Sequence, residues 1–213
     1  MKKPIKTAAF SGLILIIVWT ITNLLFLVID YDNTIGKTSL NYFFILINWM
    51  QYLLIIFFYY GFACLGKRFN SRLLKIMSWI MIILGFLLLF YSVYSQTLSI
   101  VRPVSAQDNI GDIIKNYDSE INLNNYPDAQ KQAMEKLALT AWLIISIGFG
   151  IITILFGIGI LNLGNKIRLS KVAGILNIIA GSTYLIYIGF FIKFIAMIFE
   201  ISLLFLASKR FER

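Results

Sequence analysis

The sequence predicts an all-α protein: a polytopic bundle of transmembrane helices, six spans in all. Three observations predict it. Of the 213 residues, 59% are hydrophobic, against about 45–50% for an ordinary soluble domain. The apolar residues gather into runs longer than the roughly 18 a membrane helix needs. The Lys and Arg residues sit in short clusters between those runs, as the positive-inside rule requires. The formal net charge of +9 is therefore read as a membrane signature. The expected partner is the lipid bilayer, not nucleic acid.

The first run, 8–29, follows Met1-Lys-Lys-Pro-Ile-Lys6. It exceeds the h-region of a signal peptide, about 7–15 residues, and no small-x-small cleavage site follows it. It is expected to be a retained span. The second run, 40–65, ends in the basic turn Gly66-Lys-Arg-Phe-Asn-Ser-Arg72. The third, 73–101, is stopped by Arg102-Pro103, because proline cannot continue a helix. Ile110, Ile113, Ile114, Tyr117 and Ile121 then recur at helical spacing, and Pro127 suits the first position of a new helix. Residues 102–137 are read as a small outer helical cap. The fourth span covers 138–163, and Gly164 to Lys171 form a second basic turn. From Val172 to Ala207 the chain is almost unbroken apolar sequence, carrying Lys193 and Glu200. That is too long for one span, so a tight turn over 188–191 is expected, giving spans 172–189 and 191–207.

Six spans put both termini on one side with Lys67, Arg68, Arg72, Lys75, Lys166, Arg168, Lys171, Lys209 and Arg210. The positive-inside rule makes that side the cytoplasm, and the expected location is the cell membrane. The richness in Ile, Asn, Lys and Phe fits an AT-rich prokaryotic gene. A shift of 96 residues aligns Arg72-Leu-x-Lys75 with Arg168-Leu-x-Lys171, and Ile82-Ile-x-Gly85 with Ile178-Ile-x-Gly181. The two hairpins would be a parallel repeat, a pattern known from transporters.

There is one cysteine, Cys64, and no histidine. An internal disulfide, a zinc or haem site built on His or Cys, and a Ser-His-Asp or Cys-His triad are excluded. No cofactor is expected. Gly148-Phe-Gly150 and Gly157-Ile-Gly159 lie in a membrane helix, outside the strand–turn–helix context of a dinucleotide loop.

Glu200 is the acid expected at the middle of a span. A carboxylate there costs about 2.5–3.5 kcal/mol on insertion scales, so it must be protonated, paired or beside a wet cavity. Asn48 and Gln51, three apart on one face, are its expected partners, with Asn177 a further candidate. Lys193 shares the face of Glu200 but lies about 10 Å along the axis. It is expected to snorkel outward and not to form a direct ion pair. Ser146, Gly150, Thr153 and Gly157 form a stripe of small residues, a device for close helix packing, within the monomer ahead of a homodimer seam.

In outline, the first four spans resemble a tetraspanin: a short first outer loop, a basic inner turn and a larger second outer segment. The segment has no cysteine, so the Cys-Cys-Gly motif of that family is missing, and two further spans follow. The resemblance implies no function. The residues themselves suggest a non-catalytic accessory or interaction subunit, working with a membrane protein partner or as a homo-oligomer. The alternative is a small transporter or channel with Glu200 as its proton or cation site.

Overall fold

The structure, a computed structural model, describes residues 2–28, 37–101, 128–186 and 188–210. All regular structure among these residues is helical: α1 (Lys2–Val28), α2 (Lys37–Arg68), α3 (Arg72–Val101), α4 (Asp128–Leu161), α5 (Ser170–Ser182) and α6 (Ile188–Arg210). Each helix packs on the next, and α6 returns to α1. The six helices thus close into a ring. The expected cap is only partly seen, since 102–127 lie outside the described residues.

Five helices are long and apolar enough to cross a membrane, over Lys3–Leu25, Phe43–Arg68, Arg72–Ser95, Leu139–Leu161 and Ile188–Arg210. The sixth, α5, has 13 residues. At 1.5 Å per residue it is about 20 Å long, short of a hydrocarbon core of about 30 Å. The segment expected over 172–189 therefore has different helix bounds. Its helix begins at Ser170 and stops at Ser182, and the turn comes earlier than 188–191. Thr183 ends the helix. Its hydroxyl donates to Ile179 and Ala180 carbonyls, and its own carbonyl accepts from Ile186 N–H at 3.2 Å and Gly189 N–H at 3.1 Å. Gly189, expected in the turn, lies in the first turn of α6. A Cβ there would fall 2.5 Å from the Ala180 oxygen, so glycine lets α6 start directly under the end of α5.

The basic connection from α4 to α5 is folded in and does not project. Leu163 and Ile167 are buried, Gly164 adopts φ +54° and Leu169 φ +75°, and the Ser170 hydroxyl donates to the Gly164 carbonyl. This brings the short α5 into the body of the bundle. By contrast, α2 passes to α3 through a tight turn at Phe69–Ser71, with Asn70 at φ +56°. The aligned hairpins therefore differ at their basic turns. Gly85 and Gly181 do share a role, each holding its helix close to the preceding one, against Ile56 and Gly150 respectively. Tyr187, the counterpart of Tyr91, lies outside the described residues.

The core is aromatic at its centre. Phe58 contacts Tyr59 and Phe62 edge-on, and both Tyr59 and Phe62 contact Phe156 of α4, with ring centroids 5.1–5.4 Å apart. Edge-to-face pairs of this kind add about 0.5–1.5 kcal/mol beyond burial. On α1, Gly12 admits Phe58 and Ile201, and Phe10 meets Phe205 edge-on. These contacts set Lys3 and Lys6 at the same end of the bundle as Lys209 and Arg210.

Candidate functional site

The polar centre of the bundle is built where α5 and α6 face α4. The inward stripe of α6 is Ala196, Glu200, Leu203, Leu204 and Ala207, all buried. That of α5 is Ser170, Ala173, Gly174, Asn177, Ala180 and Gly181. Asn177 is thus the one long polar side chain on a helix face otherwise lined with small residues. The small neighbours let α5 lie close to α4. A Cβ on Gly150 would sit 2.6 Å from the Gly181 oxygen, and one on Gly157 would sit 2.7 Å from the Gly174 oxygen and 2.9 Å from the Asn177 Cβ. The stripe of Ser146, Gly150, Thr153 and Gly157 accordingly faces α5 inside the monomer. Ser146 and Thr153 are buried with it, and the Ser146 hydroxyl has no hydrogen-bond partner.

Close approach places Asn177 between the two charges of α6. Lys193 Nζ donates to Glu200 Oε1 and to Asn177 Oδ1, each at 2.6 Å. Asn177 Nδ2 donates to Glu200 Oε1 at 2.6 Å and to the Ala173 carbonyl at 2.8 Å. Both ends of the amide are therefore used. The ammonium also lies over the Phe156 ring, 5.2 Å from its centroid, a cation–π contact that strengthens when desolvated. Glu200 is fully buried and the Lys193 side chain is 16% exposed. Glu200 Oε2 is buried with no hydrogen-bond partner. At the end of α6 away from Lys209 and Arg210, Phe190 stacks on Trp142 and meets Tyr184 edge-on.

Two expectations are corrected here. Lys193 does not snorkel outward; it forms the direct ion pair. Two helical turns separate it from Glu200, yet both are on one face; the glutamate side chain leans back toward the helix N-terminus, and the long lysine stem reaches forward along the axis to meet it. In lipid the alternative is an unpaired charge, and that favours the folded-in rotamer. Nor do Asn48 and Gln51 partner Glu200. Asn48 is exposed, and Gln51 Nε2 donates to Thr22 Oγ1 of α1 at 3.3 Å. The two amides share a face of α2, but it is not the face turned to α6. Of the polar residues singled out in the sequence, the structure joins Glu200, Lys193 and Asn177.

Chemically, the site is a paired acid and base bridged by an amide, with one carboxylate oxygen left over. It can hold two helices together, or hold and release a small cation or proton. Comparisons with protein-family models, with curated proteins and with solved structures give no match, so the chain is read from its own geometry as a helical membrane protein.

Proposed function

We propose that the protein is a non-catalytic membrane subunit that works by holding another membrane component against the outer halves of α3 and α4. One observation carries this reading: each of those two half-helices presents a broad exposed apolar face. On α4, among the described side chains from Lys136 to Ile145, all are exposed except the half-buried Trp142. On α3, Phe90, Tyr91 and Tyr94 are 67%, 70% and 65% exposed. The helices meet at their inner ends, where the Ser71 hydroxyl donates to the Gly159 carbonyl and a Cβ on Gly159 would fall 2.8 Å from Leu74 Cα. Leu137 is 74% exposed and lies beyond the apolar span that starts at Leu139. With Leu139, Leu143 and Ile144 it extends one contiguous apolar patch, the kind of surface that marks a protein or membrane contact, and the Tyr91 and Tyr94 hydroxyls offer polar contacts at the same end. The basic end faces the cytoplasm in this reading, as the positive-inside bias supports.

The test is crosslinking at native expression. A photoreactive residue at Ile144 or Tyr91 is expected to capture one discrete species, identified by mass spectrometry. The same residue at Ile17, exposed on α1, is expected to give only lipid adducts. A protein that purifies alone and gives only lipid adducts from Ile144 and Tyr91, as from Ile17, overturns the reading. A second reading, a proton or cation transporter, is favoured by the unpartnered Glu200 Oε2. Its signature is a flux that depends on Glu200.

A further inference from the structure

The basic end of the bundle holds a groove that the polar centre does not use. It has a volume of about 590 Å³ and lies between the ends of α1, α2 and α3. Pro4 closes it on the α1 side, Tyr60, Cys64 and Lys67 line it from α2, and Lys75 and Trp79 line it from α3. Its shape follows from one glycine. A Cβ on Gly66 would fall 2.7 Å from the Lys75 backbone nitrogen, so α2 and α3 touch there. That contact holds Lys75, in the first turn of α3, beside Lys67, in the last turn of α2.

Both ammonium groups are exposed and face a carboxylate-poor surface. Among the described side chains the one acid is Glu200, and it is bonded to Lys193. Two like charges held together with no counter-ion among the described residues attract an anion. The rings beside them are amphipathic and half-open: Tyr60 is 42% and Trp79 45% exposed, as suits the membrane–water boundary. From the groove, apolar side chains run up both helices toward the middle of the bilayer. Phe57 of α2 is 51% exposed and Ile83 of α3 is 55% exposed. A phosphate at the base and acyl chains along these tracks fit the same surface, whereas a soluble phosphate would use the charges alone.

We propose that this groove binds the headgroup of an anionic phospholipid, with Lys67 and Lys75 on the phosphate and Trp79 and Tyr60 at the glycerol level. Basic pockets between helices at the inner membrane face recognise anionic lipids in this way.

The test is native mass spectrometry of the detergent-solubilised protein with equal amounts of phosphatidylglycerol and phosphatidylcholine. Retention of phosphatidylglycerol at least several-fold above phosphatidylcholine is expected. Lys67→Gln with Lys75→Gln should abolish the preference. Lys166→Gln with Lys171→Gln removes the same charge from the other inner turn and should leave it intact. Cys64, the only cysteine, reports on the unsubstituted protein. Phosphatidylglycerol is expected to slow its alkylation several-fold relative to phosphatidylcholine in nanodiscs. An absence of headgroup preference, an equal loss in both double variants, or an alkylation rate indifferent to headgroup would each overturn the proposal.

Discussion

Glu200→Leu is expected to destabilise the folded protein by about 3–5 kcal/mol, the usual cost of leaving one member of a buried ion pair without its partner. The reason is local. Lys193 Nζ gives two of its hydrogen bonds to Glu200 Oε1 and Asn177 Oδ1, and the 16% exposure of its side chain leaves little water to replace the lost carboxylate. Lys193→Met should be similarly costly, because it strands a fully buried carboxylate. The double variant, Glu200→Leu with Lys193→Met, should recover most of the loss, since well-packed apolar groups often replace a buried pair at no cost. Denaturant unfolding of the four proteins in one detergent gives the coupling. Additive single effects would mean that the two charges do not act on each other.

The second large effect is expected at the α4–α5 seam. Gly150→Leu or Gly181→Leu must force the backbones apart, since a Cβ alone would stand 2.6 Å from the Gly181 oxygen or 2.5 Å from the Gly150 oxygen. Overpacking of a close contact costs typically about 1–3 kcal/mol. Here it would also pull Asn177 away from Glu200, so the loss should lie at or above the top of that range. Gly148→Leu is the control. A Cβ there meets nothing within 4 Å, so its effect should stay within about 0.5 kcal/mol. The same unfolding assay decides it, and equal effects at Gly148 and Gly150 would contradict the packing described.

The helical membrane character was legible from composition and run length, because lipid leaves a chain few ways to satisfy its backbone. The α4 half of the small-residue seam was legible too. Its other half, Ala173-Gly174, Asn177 and Ala180-Gly181, has the same spacing but lies inside a continuous apolar run. There the eye follows hydrophobicity and misses residue size. The end of α5 was misplaced for a related reason. Gly189 reads as a turn residue, whereas Thr183 terminates the helix through its own carbonyl, and glycine serves close approach instead. Axial rise alone hides the ion pair: the length of the lysine stem and the N-terminal lean of the glutamate side chain together close the gap. The partners assigned to Glu200 failed on orientation. Asn48 and Gln51 share a face, but a single sequence does not say which neighbour that face meets, and for Gln51 it is Thr22 of α1.

The buried charges of α6 are expected to hold helices together and not to move ions. Reconstituting the purified protein in vesicles loaded with a pH-sensitive dye, under an imposed proton or cation gradient, decides this. Vesicles with the native chain are predicted to leak no faster than protein-free vesicles, and Glu200→Gln is predicted to change nothing. A gradient-driven flux in the native protein that disappears in Glu200→Gln would contradict the account and make the unpartnered carboxylate oxygen a transport site.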